Sequence, residues 1–197
     1  MTRVIAIDVA LLLPGNTAGM AIALNRALPA AEGQGLVLDA THLPHVTLAQ
    51  LFVATPRLDA ALDRVAGIAA ALAPLRLRVT GGARGSSSVW MGIERSAAIV
   101  ALHERLMAAL QPFDARRGGA AAFEGRGARP GDIAWVAGFR ASAGFERFTP
   151  HITLGHARTP PAIAPFEFDA TTLAACHLGR FCTCRTVLRE WNLSECT

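Results

Sequence analysis

Pro44-His45-Val46-Thr47-Leu48 and Pro150-His151-Ile152-Thr153-Leu154 match in chemical type at five successive positions, and their reading decides the fold. In each, proline opens a run of β-favouring residues. A strand's period of two then sends histidine and threonine to one side and Val46 or Ile152 to the other. Each copy therefore presents an imidazole and a hydroxyl as half a site. Continued along the first copy, the alternation predicts His45, Thr47, Ala49 and Leu51 on one face and Val46, Leu48 and Phe52 on the other. A single His-x-Thr triplet carries little weight; its duplication with the same flanking residues carries a great deal.

Working outward, Val4 to Leu13 is apolar and bounded by Pro14-Gly15, as a central strand would be. Asn16 offers an N-cap, and Met20, Leu24 and Leu28 predict the apolar face of a helix ending before Gly33-Gln34-Gly35. A short strand is expected at Leu36 to Asp39. After the first motif, Thr55-Pro56 opens a helix with the stripe Leu58, Leu62, Val65, Ala69 and Leu72, stopped by Pro74. Leu75 to Thr80 and Ser87 to Glu94 read as a hairpin turning at Gly81 to Gly85. Ser96 caps a helix burying Ile99, Leu102, Leu106 and Leu110 up to Pro112, with His103 expected at its boundary. Asp114 to Gly131 holds five glycines with Arg116, Arg117, Arg126 and Arg129 and has no periodicity. That makes it a long loop, either a mobile solvated insertion or a flap whose guanidinium groups close over a phosphate. Ile133 to Phe139 is apolar, and final strands fall within Phe166 to Leu178 and within Phe181 to Trp191. The order β-α-β-β-α-β-β-α-loop-β-β-β predicts an α+β architecture.

Composition sets the limits. At 197 residues, 52% hydrophobic and 17% charged, the chain can bury a full core, which excludes intrinsic disorder. No apolar run approaches the roughly 20 residues of a membrane span, and Asp8 interrupts the N-terminal stretch, so that stretch reads as a buried strand and not a leader. Cys176, Cys182, Cys184 and Cys196 crowd the last quarter, a poor disulfide framework, so reduced thiols in a cytoplasm are expected. Cys-x-Cys beside His177 lacks the spacing of a zinc site, and no metal is expected. The net charge is +4, and every basic residue is Arg, a bias attributed to coding composition. So weak a field identifies no partner.

If the two half-sites face each other, two imidazoles flank one reacting centre, one taking a proton and the other giving one, while two hydroxyls reach the non-bridging oxygens. Such a site performs phosphodiester chemistry without a metal. On these paired motifs, the Val89-Trp90-Met91-Gly92-Ile93 strand followed by a helix, and Phe148-Thr149 before the second motif, the chain resembles the two-histidine (2H) phosphoesterase superfamily, the LigT-like RNA 2',3'-cyclic phosphodiesterases or 2'-5' RNA ligases. The resemblance implies one bilobal α+β domain over residues 1–197: two pseudo-symmetric lobes of mainly antiparallel sheet, helices outside and a central groove. It implies His45 and His151 as the acid and base, Thr47 and Thr153 as phosphate holders, no cofactor, and an RNA 2',3'-cyclic phosphate end or small cyclic nucleotide as partner of a monomer. Other substrates the pattern allows are an ADP-ribose cyclic phosphate or 2'-5' oligonucleotides, and a non-catalytic RNA-end-binding module stands as the rival of another class. Many relatives carry Arg five residues after the second motif histidine; here it is His156, which strand parity puts on the opposite face unless Gly155 bulges. His156, Arg116, Arg117 and Phe148 are the candidate substrate-binding residues, with Arg147 and Arg158 as further sources of charge.

Overall fold

The computed structural model describes residues 2–29, 35–85, 88–125 and 127–194. The expected helix stop at Gly33-Gln34, the Ser87 end of the hairpin strand, Arg126 and Cys196 lie outside the described residues. Strand β1 (Val4–Leu12), helix α1 (Gly15–Ala27) and strand β2 (His45–Ala54) are followed by α2 (Leu58–Ala69), β3 (Leu75–Arg84), β4 (Val89–Ile93) and α3 (Ala97–Leu110). Then come α4 (Pro130–Ser142), β5 (His151–Gly155), β6 (Phe166–Ala170), β7 (Thr172–Leu178) and β8 (Cys184–Asn192). The strands form two antiparallel sheets, in the orders β2-β1-β7-β8 and β5-β4-β3-β6. The fold is α+β, as expected. Each motif strand lies at a sheet edge, paired with the strand that precedes it in the chain: β1-α1-β2 in one half, and β4 and β5, with α3 and α4 between them, in the other.

The helices cross over. α1 packs on β5, and α3 packs on β2, so each half's helix supports the other half's motif. This explains why the buried face of α1 is Thr17, Ala21 and Asn25 and not the expected Met20-Leu24-Leu28 stripe; Met20 is 42% exposed, and Leu24 and Leu28 only edge the core. Asn25 is buried because it is needed: its Nδ2 donates to the carbonyls of Leu154 (2.6 Å) and Leu36 (3.0 Å), and its Oδ1 accepts from the Leu38 amide (2.9 Å). His103 is the counterpart on α3. It is fully buried, not at the boundary, with Nδ1–H donating to the Leu48 carbonyl at 2.6 Å and Nε2 accepting the Phe145 amide at 2.8 Å. Burial, together with the charges of Arg95 and Arg140, pulls its pKa below the usual value against the Leu48 bond, consistent with a neutral ring.

Several expectations change with tertiary context. Ile133 to Phe139 belongs to α4, which starts at Pro130 with Asp132 Oδ2 accepting the Arg129 amide at 2.8 Å, and which buries Asp132, Val136 and Phe139. The preceding segment is not simply solvated, because Ala122 and Phe123 are buried in a second cluster with Ala6, Phe52 and Leu178. Leu36 to Asp39 forms no strand; Leu36 and Leu38 are buried, and Asp39 makes an isolated bridge with His42. β3 runs on through Gly81-Gly82, where a side chain at Gly82 would collide with the Pro161 carbonyl, and turns only beyond Arg84. Phe166 to Leu178 divides at Thr171 into β6 and β7, which lie in different sheets. No helix among the described residues is long and apolar enough to cross a membrane.

Asn25→Ala and His103→Phe each strand buried carbonyls and amides, at a cost of about 2–4 kcal/mol in urea unfolding. Because a depressed folded-state pKa contributes stability above the unfolded value of 6.5 that is lost as the pH falls, His103→Phe should also flatten the acid side of the stability curve. Unchanged midpoints in both variants would refute this account of the Leu48 and Leu154 carbonyls.

Candidate active site

The two motif strands are built alike at their most irregular point. In β1–β2 the register passes from Ala10↔Thr47 to Val9↔Ala49, skipping Leu48; in β4–β5 it passes from Trp90↔Thr153 to Val89↔Gly155, skipping Leu154. Each motif thus ends in a β-bulge at its leucine, and these are the leucines whose carbonyls His103 and Asn25 take up. A bulge reverses the side-chain parity of everything after it. In β2, Gln50 therefore turns to the cavity while Ala49 and Leu51 join the main core, contrary to the uninterrupted alternation. In β5, Gly155 adopts φ +151°, and His156 joins the same cavity. Gln50 and His156 each stand five residues after a motif histidine, so the bulges bring equivalent positions into the site.

His45, Thr47, His151 and Thr153 all line one cavity of about 600 Å³, together with α4 residues such as Trp135 and with Trp90 from β4. The imidazoles are held in the same way: Nδ1 of His45 lies 2.7 Å from the Leu43 carbonyl, and Nδ1 of His151 lies 2.7 Å from the Thr149 carbonyl. A carbonyl can only accept, so Nδ1 carries the hydrogen in both rings and Nε2 is the nitrogen that gains or loses a proton.

Their surroundings differ. Nε2 of His45 sits 3.4 Å from Oδ2 of Asp8, a fully buried side chain on β1. The same oxygen accepts from Thr47 Oγ1 and from Gln50 Nε2, both at 2.7 Å, while Oδ1 has no hydrogen-bond partner among the described residues. Burial works to lower the His45 pKa, but the hydrogen bond to Asp8, its charge and the Leu43 carbonyl outweigh it, and the pKa is raised. His151 has no such carboxylate; burial, helped by the charge of His45, lowers its pKa against the Thr149 carbonyl. Its ring lies 4.9 Å from that of Trp90. The hydroxyls differ too, since Thr47 gives its proton to Asp8 while Thr153 makes no hydrogen bond with the described residues.

The remaining candidates separate. His156 lines the cavity with its pKa lowered by burial and by Arg129, and its ring is 5.3 Å from Phe181. Arg116 and Arg117 are exposed and contribute nothing to the cavity lining. Of the arginines in that segment, Arg129 does line it, stacked 3.7 Å over Phe181 and paired with Asp132 at 2.6 Å; outside the segment, Arg147, bonded to the Ala141 carbonyl, lines it too. Phe148 borders the cavity but is 3% exposed and stacked face to face on His103 at 4.0 Å, which makes it a wedge and not a platform for a base. Sequence reasoning missed Asp8 and Gln50. Asp8 carried a signal, being a lone acid in an apolar strand, whereas Gln50 was hidden by the bulge.

Among the described residues one grouping offers metal-donor atoms close together, Asp8, His45 and Cys184, within 4.8 Å of one another. The donors do not suit an ion. Asp8 Oδ2 is already shared by Thr47 and Gln50, and burial raises the Cys184 thiol well above its usual pKa, whereas metal binding needs the thiolate. The cluster is a hydrogen-bonded carboxylate and imidazole set against buried thiols.

Two antiparallel sheets that bring paired His-x-Thr edges into one cavity define a two-histidine α+β protein. The chain belongs to the 2'-5' RNA ligase superfamily, the two-histidine phosphoesterases, whose sequence profile matches residues 26–178. Solved structures share the fold over nearly the whole chain. Escherichia coli LigT complexed with NADP+ superposes with TM-score 0.66 at 21% identity, covering 98% of this chain and 100% of that one. A structure described as a phosphoesterase gives 0.63 at 22% identity, covering 96% and 99%. A Thermus thermophilus protein gives 0.62 at 21%, covering 98% and 100%. No curated protein matches the sequence.

A Cβ on Gly155 would lie 2.6 Å from Leu28 Cδ1 and 3.3 Å from Asn25 Nδ2, at a φ that L-residues rarely adopt. Gly155→Ala should therefore cost about 1–3 kcal/mol and lower the thermal midpoint by roughly 2–10 °C. A midpoint equal to wild type in calorimetry would show that the second bulge does not depend on this glycine.

Proposed function

We propose that this protein is a metal-independent cyclic phosphodiesterase that opens the 2',3'-cyclic phosphate of an RNA end or nucleotide to a 2'-phosphate. The observation that carries the reading is the matched presentation of the two motif histidines: both have Nδ1 tied to the carbonyl two residues earlier, both leave Nε2 to titrate, and both line one cavity from opposite sheet edges. The chemistry needs only proton transfer and charge stabilisation. Water attacks phosphorus and passes its proton to the neutral imidazole; a P–O bond forms as the P–O3' bond breaks, and O3' takes a proton from the imidazolium. The product is a 2'-monoester with a free 3'-hydroxyl, and the two histidines exchange protons with solvent to reset. Thr153, whose proton is uncommitted, is placed to donate to a non-bridging oxygen, with the Arg147 guanidinium further along the lining. The E. coli LigT structures with 3'-AMP and ATP support a nucleotide-sized occupant for this fold, and the one with phosphate supports an anion site.

Phosphorus NMR of nucleoside 2',3'-cyclic phosphates incubated with the protein in EDTA should show accumulation of the 2'-monoester. His45→Ala and His151→Ala should each lose at least about 10²–10⁴-fold in kcat/KM, and Thr153→Val should lose less, roughly tenfold. Undiminished turnover in both histidine variants, or its loss in EDTA, would overturn the reading; tight, salt-sensitive binding with no product would make the protein an RNA-end-binding module instead.

A further inference from the structure

Resting on that reading, we propose that Asp8 is a positioning residue that makes the site directional, holding His45 as the proton donor and leaving His151 as the acceptor. The motifs are duplicated, but what lies beneath them is not. Ala10 pairs with Thr47 as Trp90 pairs with Thr153. Two residues before each stands Asp8 in one half and Ser88 in the other. One lobe therefore sets a carboxylate under its histidine, where the other offers a neutral serine and an indole ring.

The position of Asp8 is restrictive. It is fully buried and lies opposite Gln50 on β2 and Cys176 on β7, so its oxygens have no access to bulk water. Oδ2 is fixed by the Thr47 hydroxyl and the Gln50 amide, both at 2.7 Å, and is left 3.4 Å from Nε2 of His45. With Nδ1–H already given to Leu43, a proton on Nε2 makes the ring an imidazolium, which the carboxylate stabilises. The titratable neighbours of His45 are Asp8 on β1, Cys176 on β7, Cys184 on β8 and, across the cavity, His151 on β5. Burial raises the Cys184 thiol well above its usual range, and of these groups it is Asp8 whose oxygen faces Nε2 of His45 and holds a proton on it. The opposite directions in which the two histidines shift agree with this, since they favour the pair with His45 charged and His151 neutral over its reverse. The reverse assignment would use the less favoured of the two arrangements.

Donation requires Nε2 to leave Asp8 for the leaving oxygen. The 3.4 Å separation, longer than the 2.7 Å bonds that hold the carboxylate, fits a proton that is steered and not locked. Thr47 and Gln50 thereby act through Asp8: they hold the oxygen that orients His45, which explains why the residue five positions after the first motif histidine is an amide facing inward.

The test is a histidine NMR titration of the ligand-free protein beside a pH–rate profile, for wild type and Asp8→Asn. In wild type the His45 midpoint should lie above that of His151; the opposite order overturns the proposal whether or not the variant folds. In Asp8→Asn the His45 midpoint should fall by a unit or more, and the alkaline limb of kcat/KM should move acidward by the same amount while the acid limb, set by His151, stays near its place. At pH 7.5 kcat/KM should drop about 10–100-fold. Activity lost evenly at all pH values, with the His45 midpoint unmoved, would reduce Asp8 to a structural residue and overturn the proposal. A shifted midpoint in a protein whose wild type turns over no cyclic phosphate would instead overturn the reaction proposed above and leave the Asp8–His45 pairing intact.

Discussion

The structure depends on what happens to two carbonyl groups. A strand that bulges releases a carbonyl from its ladder, and a buried carbonyl without a partner costs about 1–3 kcal/mol. Here the freed carbonyls of Leu48 and Leu154 are each met at 2.6 Å by a polar side chain from the opposite half, His103 from α3 and Asn25 from α1. These two bonds let both motif strands bulge immediately after their threonines, and they do so only if the helices cross over. Helix exchange, bulge and cavity are therefore one solution: without the bulges Gln50 and His156 would face the core, and without the crossed helices the bulges would be too costly.

The same bonds extend to the geometry of the candidate site. His103 binds Leu48 on one side and the Phe145 amide on the other, with Phe148 stacked on its ring, so it ties β2 to the segment that leads into Thr149 and His151. Since the Thr149 carbonyl fixes the tautomer of His151, a buried imidazole away from the cavity helps hold the orientation of one that lines it. Phe148, which sequence alone offers as a surface for a base, is used up in this link.

Much of the architecture was legible because it rests on local rules. The duplicated motif, the strand character of Val4 to Leu12, the Leu62-Val65-Ala69 part of the α2 stripe and the Ile99-Leu102-Leu106-Leu110 face of α3 follow from periodicity and are found as expected, whereas Leu72 lies beyond the end of α2. What escaped was decided by partners distant in sequence. Periodicity cannot place Asn25 on a buried face, because an amide is buried only where carbonyls await it. Nor can it anticipate a bulge, so the face assignment was right up to Thr47 and reversed beyond Leu48. α4 was obscured by the glycine and arginine run before it, although Pro130 and Asp132 are ordinary marks of a helix start. Asp8 was visible as an anomaly, but its meaning required knowing that β1 runs beside β2.

An arginine-rich chain with net charge +4 would be expected to recognise a phosphate through guanidinium groups, yet the cavity uses them sparingly. Arg129 reaches it already neutralised by Asp132 and flattened on Phe181, and Arg116 and Arg117 stay outside. Five residues after the second motif histidine the chain has His156, whose burial disfavours its charged form. In the proposed reaction the positive charge at the motif level is the imidazolium of His45, which Asp8 favours. That arrangement makes anion binding and proton supply one event: a bound phosphate favours the protonated ring, and the protonated ring is what the leaving oxygen needs. A permanent guanidinium at the same place would bind ground state and transition state alike, whereas a charge that is spent as the bond breaks acts where the reaction is limited.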